Sequence, residues 1–502
     1  MSGPESEKRG SVVRSNFGFY QISFGLIICL FFLLIDLFGI GKPGIQAAQL
    51  LGIQAGVWIA LAGVGILISQ GNDPDYLNGL WKKIFLRIGN LPTIVWIVLG
   101  FSIVYVFLFV FPIFFNPERR IHYFYRYIPD IAPIGNDLIF NTGRIRDWLV
   151  SGVGLYSSPG HYYPPLYAVV FAPLLLFSYP GNFFLMTAIS LLFSFVSWLV
   201  IPFMINGKRA FTITVFFFLT AIFSYGMQFE LERGQFNMVA FTLCLLAIYF
   251  IHFQNSYRHL AYVLFSVAVQ IKIYPAIFIF MLVKDWRDWK NNLLRLLGLG
   301  LFNLGLLFIL GLSTFTDFIR ELVLHMGLDL TFPGNHSITS FVYNLSQSRF
   351  GLLPIDPGNW LTVSSKLIQI ILAGSFVVCL LATLVKMLIR NQLGFNPDLF
   401  LVCTVGAMIL PSVSVDYKLP LLAAPLILSM SQRTLQSQGI LRGLVIVLII
   451  VLSVAYSITL FPYIYRPAAL ANSFPLLFII LVSVTLLFFL DGDSDVAMST
   501  TQ

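Results

Sequence analysis

The chain has 502 residues, of which 58% are hydrophobic and only 10% charged, with a mean hydropathy of +0.86. A soluble globular protein carries roughly a quarter charged residues, so this composition excludes an ordinary soluble enzyme. The formal charge of +8 does not indicate a nucleic-acid partner, because Lys and Arg sit in short clusters between apolar runs, the distribution expected of orientation signals. Apolar stretches near the length of a bilayer span recur from residue 17 to residue 490, which predicts an all-α polytopic membrane protein of about 12–14 transmembrane helices.

Residues 1–15 carry Lys8, Arg9 and Arg14 and are expected to stay cytoplasmic. The first apolar run is too long for a signal-peptide core and reads as a retained span. Spans are predicted at 17–40, 50–70 and 91–115, with Lys82, Lys83 and Arg87 on the cytoplasmic side between the second and third. The third span then delivers a polar loop, 116–163, to the outer face. Within it, residues 138–149 fit an amphipathic helix lying on the membrane.

The stretch His161-Tyr162-Tyr163-Pro164-Pro165 precedes an apolar run ending at Leu176, too short for a full crossing and expected to be a half-membrane helix. Spans at 182–205, 210–228 and 235–253 place Glu230 to Gln235 outside. From His259 to Val283 the run reads as one span or as two short ones broken at Lys272-Ile273-Tyr274-Pro275. Cations flank both ends of this run, so the broken form satisfies the charge rule and brings Lys272 to the outer side.

A span at 292–313 leads to a second outer loop, 314–362, followed by spans at 364–388, 397–411, 418–431, 439–461 and 473–490 and a polar tail. The resulting organisation is two N-terminal helices (1–90), a main module (91–313), the second loop (314–362), a C-terminal helical block (363–490) and the tail (491–502). No internal repeat is visible. Cys29, Cys244, Cys379 and Cys403 all lie in apolar runs and read as small buried hydrophobes.

Chemistry concentrates in a few places. Asp137, just above the expected bilayer, is a candidate general base; the plainer reading is a helix N-cap or a solvated loop aspartate. Asp130 and Asp147 are rivals in the same loop. Arg233, Gln235 and Asn237, around Gly234-Gln235-Phe236-Asn237, are suited to a phosphate or a hydroxyl-rich ligand, or else to pairing with Glu230 and Glu232 and cross-linking helices. Lys272, between two isoleucines, needs either an anionic ligand or a carboxylate, with Glu230 or Glu232 the structural candidates.

His336, in Asn335-His336-Ser337, is a candidate phosphate donor or an ordinary loop histidine. Asn335 and Asn344 also match the glycosylation acceptor pattern. Asp416-Tyr417-Lys418 adds a polar cluster facing the same side. Asp73-Pro74-Asp75 and Asp491-Gly492-Asp493 read as solvated acids.

Four strings in this order, Gly154-Leu155-Tyr156 with Tyr163-Pro164-Pro165-Leu166 and Ala172-Pro173-Leu174, then Gly234-Gln235-Phe236-Asn237, Lys272-Ile273-Tyr274-Pro275 and Asn335-His336-Ser337, resemble glycosyltransferase family 87 over about residues 91–430. The resemblance implies a GT-C fold with the active site in the outer loops, and a polyprenyl-phosphate sugar donor, mannose foremost. It further implies a lipid or glycan acceptor, inverting transfer with Asp137 as base, and no cofactor or metal. Lys272, His336, Arg233 and Tyr274 would then meet the donor phosphate, and Gln235, Asn237, Tyr163 and Lys418 the substrates. Asp137 is followed by Leu where the family often has Phe, and the first 90 residues are an addition to its pattern. The expected location is a bacterial plasma membrane, with the site facing the periplasm or exterior. The alternative is a transporter or lipid flippase, which would need a polar site at mid-membrane depth instead of polarity in the outer loops.

Overall fold

In a computed structural model, residues 135–490 are described apart from 158–159, 180, 207–210, 223, 328–331, 333, 347–357, 432–439 and 458–471, together with some helical positions between Tyr20 and Phe31. The expected spans at 50–70 and 91–115, the loop before residue 135 with Asp130, and the tail lie outside the described residues. The chain divides into two compact units. The smaller comprises residues 1–128, 211–224 and 458–464; the larger, residues 129–210, 225–457 and 465–502, holds Asp137, Arg233, Gln235, Lys272, His336 and Lys418.

The described residues are helical throughout, with one isolated antiparallel bridge, Asn335 to Val415, and no strand. In the larger unit α1 (Asn136–Ser151) buries Leu138, Asn141, Thr142 and Ile145, a three-four spacing that puts one face inward. After Pro164 and Pro165 comes the short α2 (Leu166–Phe171), continued by a 3-10 segment (Ala172–Leu176). This is the half-length element expected there. Next, α3 (Gly181–Phe195) runs through a π turn (Val196–Val200) into α4 (Ile201–Asn206). Helix α5 (Phe211–Ile222) belongs to the smaller unit.

The centre of the larger unit follows. Helix α6 (Tyr225–Arg233) turns at Gly234 into α7 (Asn237–Phe253), which is buried around nearly its whole circumference. Helix α8 (Arg258–Ile271) stops at Lys272, whose backbone is extended, and a 3-10 segment (Tyr274–Leu282) resumes after it. Pro275 explains the stop, since an α-helix running through it would bring its ring against the Ile271 carbonyl and leave that carbonyl without an amide donor.

Beyond the break lie α9 (Trp289–Leu306), α10 (Leu312–Gly327) and α11 (Ile338–Ser346). They are followed by α12 (Gly358–Ile389) and α13 (Pro397–Ile409), then a 3-10 segment (Asp416–Leu422) leading into α14 (Ala423–Ser431), and finally α15 (Ile440–Ser457) and α16 (Phe474–Leu490). Helix α13 has every residue buried and starts as sequence rules favour, with the Asn396 side chain accepting from Leu399 N and Pro397 in the first turn. Phe241 of α7 stacks on Phe400 of α13 at 5.9 Å, and Phe278 packs against both. Cys244 and Cys403 are buried in these two helices, while Cys379 is half-buried.

Two described helical stretches are long and apolar enough to cross a membrane, Gly181–Asn206 and Ser364–Ile389, each of 26 residues. The other apolar helices among the described residues are shorter, 10–17 residues. Polar side chains tie neighbours together: Thr242 Oγ1 of α7 donates to Phe193 O of α3 at 3.0 Å, and Asn303 Nδ2 of α9 donates to Ser266 Oγ of α8 at 3.0 Å.

Candidate active site

Two glycines bring the site together. Gly234, between α6 and α7, has φ +63°, and a Cβ there would stand 2.7 Å from Leu138 Cβ. Gly135, before α1, has φ +74°, and its amide donates to Glu232 O at 2.6 Å. Only residues without a Cβ allow the start of α1 to lie against the α6–α7 turn. Gly234→Ala should therefore cost about 1–3 kcal/mol through strain at positive φ, with the displacement of Leu138 in addition. Gly143→Ala, inside α1 with no atom within 4 Å of the added carbon, should be neutral or stabilising. Thermal melts of the two variants in detergent check both.

This approach seats Asp137 opposite the turn. Gln235 Nε2 donates to Asp137 Oδ2 at 2.5 Å, and Arg233 lies 3.6 Å from Asp137 Oδ1. The other end of the Gln235 amide, Oε1, accepts from Lys272 Nζ at 2.8 Å. Lys272 also donates to the Tyr163 hydroxyl at 3.1 Å, and its ammonium stands 4.6 Å and 4.3 Å from the ring centres of Tyr163 and Phe236. The Asp137 carboxylate is 30% exposed while the Arg233 side chain is 8% exposed, so the carboxylate is the open end of the cluster. Asp147 sits on the exposed side of the opposite end of α1, about 15 Å along the helix.

A second layer lies beneath. Glu230, fully buried, accepts from Asn237 Nδ2 at 2.7 Å and from Met238 N at 3.0 Å. It therefore holds the first turn of α7, where a negative charge is favourable. Burial raises its carboxyl above the ordinary range, and the two donated bonds oppose that shift. No ion pair within 4 Å joins Glu230 to Lys272, so the carboxylate partner considered for this lysine serves the helix instead. Tyr274 OH donates to Asn237 O at 2.9 Å, and Lys418 Nζ stands 5.3 Å from the Tyr274 ring and donates to Val413 O at 3.3 Å.

His336 takes a different place. Its Nδ1 is 3.1 Å from Asp416 Oδ1, its Nε2 is 3.1 Å from Ser414 Oγ, and its amide donates to Ser414 O at 2.8 Å. It is fully buried and makes no hydrogen bond to Asp137, Arg233 or Lys272. The structure thus brings Asp137, Arg233, Gln235, Lys272 and Tyr163 together, sets Asn237, Tyr274 and Lys418 behind them, and places His336 apart, on Asp416 and Ser414. Asn335 and Asn344 are also fully buried, so the glycosylation reading does not fit this fold.

Tyr162 and Tyr417 were missed as site residues. Tyr162 is held well up, to about 12, by burial and then by the Asp137 charge, and Tyr417 also feels that charge. Their places beside Tyr163 and Lys418 in the quoted strings were the available signal. Tyr162 in turn stacks on His325 of α10, with ring centres 3.6 Å apart. Among the described residues no three His, Cys, Asp or Glu side chains come together.

His161 lies in a box of Tyr156, Tyr163 and Tyr167 rings, fully buried, with neither ring nitrogen hydrogen-bonded. Burial, with Arg144 adding, pushes it down to about 3. The unfolded chain then binds the extra proton first, so stability is full above about pH 6.5 and falls as the pH drops from there towards 3. His161→Phe should flatten that loss, which is of the order of a few kcal/mol at most; melting curves at pH 7.5 and 5 check it.

Described residues that are helical throughout, with a carboxylate and two cations gathered at one open rim, have the parts of an acid–base group-transfer site. The profile of glycosyltransferase family 87 matches residues 161–413, half of the chain, and this protein belongs to that family. Neither a curated protein nor a solved structure matches the chain. Family membership makes the protein a glycosyltransferase, with a sugar donor and an acceptor as substrates, and does not favour the transporter alternative.

Proposed function

We propose that this protein is an integral membrane enzyme transferring a sugar, mannose foremost, from a polyprenyl-phosphate donor to a lipid or glycan hydroxyl at the non-cytoplasmic face, with inversion at the anomeric carbon. The observation that carries the reading is the Gln235 amide, which bonds Asp137 through one end and Lys272 through the other. A base and a phosphate-binding cation are thereby held one side chain apart. The two apolar helices support the membrane setting.

In this scheme the acceptor oxygen attacks the anomeric carbon and its proton passes to the Asp137 carboxylate. The bond from that carbon to the phosphate oxygen breaks, and its electron pair leaves with the polyprenyl phosphate. Lys272 and Arg233 stabilise the charge that develops on the leaving oxygen. Tyr163 and Gln235 fix the ammonium, and Tyr274, Asn237 and Glu230 fix the turn that carries Gln235. Lys418 adds positive potential behind the donor phosphate, and His336, through its bonds to Ser414 and Asp416, braces the segment that carries Lys418.

The test incubates purified full-length protein with polyprenyl-phosphate-mannose first, then the glucose and arabinose analogues, and candidate lipid acceptors. The expected result is a product of inverted anomeric configuration by NMR. Retention of configuration, or no transfer from any of these donors, overturns the proposal.

A further inference from the structure

Tyr162 and Tyr417 stand at the open end of the cluster, each half-buried. Tyr162 lies beside Tyr163, with ring centres 5.3 Å apart, and the Tyr163 hydroxyl accepts from Lys272. Tyr417 packs edge-on against Phe229 at 5.4 Å, and the Arg233 guanidinium lies over that same ring at 5.5 Å. Each phenol is thus packed beside a ring that meets one of the two cations, and the Asp137 charge acts on both phenols. Among the described residues neither hydroxyl has a hydrogen-bond partner. The rings themselves are held, Tyr417 by Phe229 and Tyr162 by His325 of α10, which stacks on it at 3.6 Å with the planes 17° apart.

Tyrosine is common at a membrane–water interface, where the ring meets lipid and the hydroxyl meets water. That explains rings at this depth. It does not explain two fixed phenols with open hydroxyls about the one carboxylate at the mouth of an internal cluster. A phenol hydroxyl both donates and accepts, so the pair suits a ligand carrying hydroxyls of its own. In an inverting displacement the base lies on the acceptor's side of the anomeric carbon, opposite the departing phosphate, and must reach the attacking oxygen. Uncharged hydroxyls about Asp137 therefore meet the acceptor, while the cations meet the phosphate.

We propose that Tyr162 and Tyr417 form the acceptor subsite, bonding hydroxyls that neighbour the attacking one, with His325 positioning Tyr162. The acceptor is then a polyol such as a sugar ring, not an alcohol with a single hydroxyl. The inference rests on Asp137 being the base of the proposed transfer.

Saturation-transfer NMR on the full chain in a sugar-free detergent tests it. The probes are methyl α-D-mannopyranoside, methyl α-D-glucopyranoside and methyl α-D-arabinofuranoside, with cyclohexylmethanol as the single-hydroxyl comparison and farnesyl phosphate for the donor side. The expected result is that at least one methyl glycoside binds the wild type more tightly than cyclohexylmethanol. Its dissociation constant should weaken about three- to tenfold in Tyr162→Phe and in Tyr417→Phe, the loss of one hydrogen bond each, while that of farnesyl phosphate stays constant. Phenylalanine keeps both ring contacts, so folding should survive. His325→Ala should weaken the glycoside as Tyr162→Phe does, and His325→Phe, which keeps a stacking ring, should not. Glycoside binding unchanged in both tyrosine variants, an equal loss for farnesyl phosphate, or cyclohexylmethanol bound as tightly as every glycoside overturns the proposal. Glycoside binding with these losses but no transfer from any donor overturns the proposed reaction instead and leaves the polyol subsite standing.

Discussion

Asp137→Asn is expected to lower kcat by about 10²–10⁴, or ~2.7–5.4 kcal/mol of transition-state stabilisation, the range for loss of a general base. The variant keeps the shape of the side chain. Asp137 lies in the first turn of α1, whose inward face of Leu138, Asn141, Thr142 and Ile145 carries the packing, so the helix should stay in place. The donor KM should change little, because the proton leaves the acceptor and Asp137 makes no bond to the phosphate in this scheme. Transfer assays with circular dichroism on the same samples read both quantities. A loss of only a few-fold with intact folding would move the base to another residue, and Asp147 would then be tested the same way.

Lys272→Met should cost about 10²–10³ in kcat, the scale seen when one preorganised charge-stabilising donor is removed. Methionine keeps most of the length of the side chain between the Tyr163 and Phe236 rings while removing the charge. Lys272→Arg should rescue poorly, since the planar guanidinium is broader than the ammonium held 4.6 Å and 4.3 Å from those ring centres. A second readout separates phosphate binding from a supporting role. The product, polyprenyl phosphate, should inhibit the wild type competitively, and its inhibition constant should rise tenfold or more in Lys272→Met. An unchanged inhibition constant with a lowered melting temperature would make Lys272 a brace for Gln235 and leave Arg233 as the phosphate partner.

These two expectations show where the reading of residues in one dimension stops. Asp137, Arg233, Gln235 and Lys272 were each singled out by their place beside apolar runs and in the quoted strings, because charged and amide side chains are rare in so apolar a chain. What joins them is a set of contacts across 98 residues between Asp137 and Gln235, 37 between Gln235 and Lys272, and 109 between Tyr163 and Lys272. No local pattern encodes those pairings. Lys272 and Glu230 illustrate the point: a buried lysine beside a run holding two carboxylates invites an ion pair, yet Glu230 is spent on the first turn of α7 and the lysine is met by an amide, a phenol and two rings. His336 illustrates it again, since its neighbours in sequence are loop residues while its partners, Ser414 and Asp416, lie about 80 residues away.

By itself the amino-acid sequence determined the helical class, the stop after Ile271, the short element behind Pro164 and Pro165, and the family, all of which follow from hydrophobic pattern, proline and motif order over short distances. Tertiary structure alone decided which polar groups share a rim. The physical reason lies in Gly135 and Gly234: their positive φ and missing Cβ let α1 close onto the α6–α7 turn. That approach turns a scattered aspartate, glutamine and lysine into one hydrogen-bonded line.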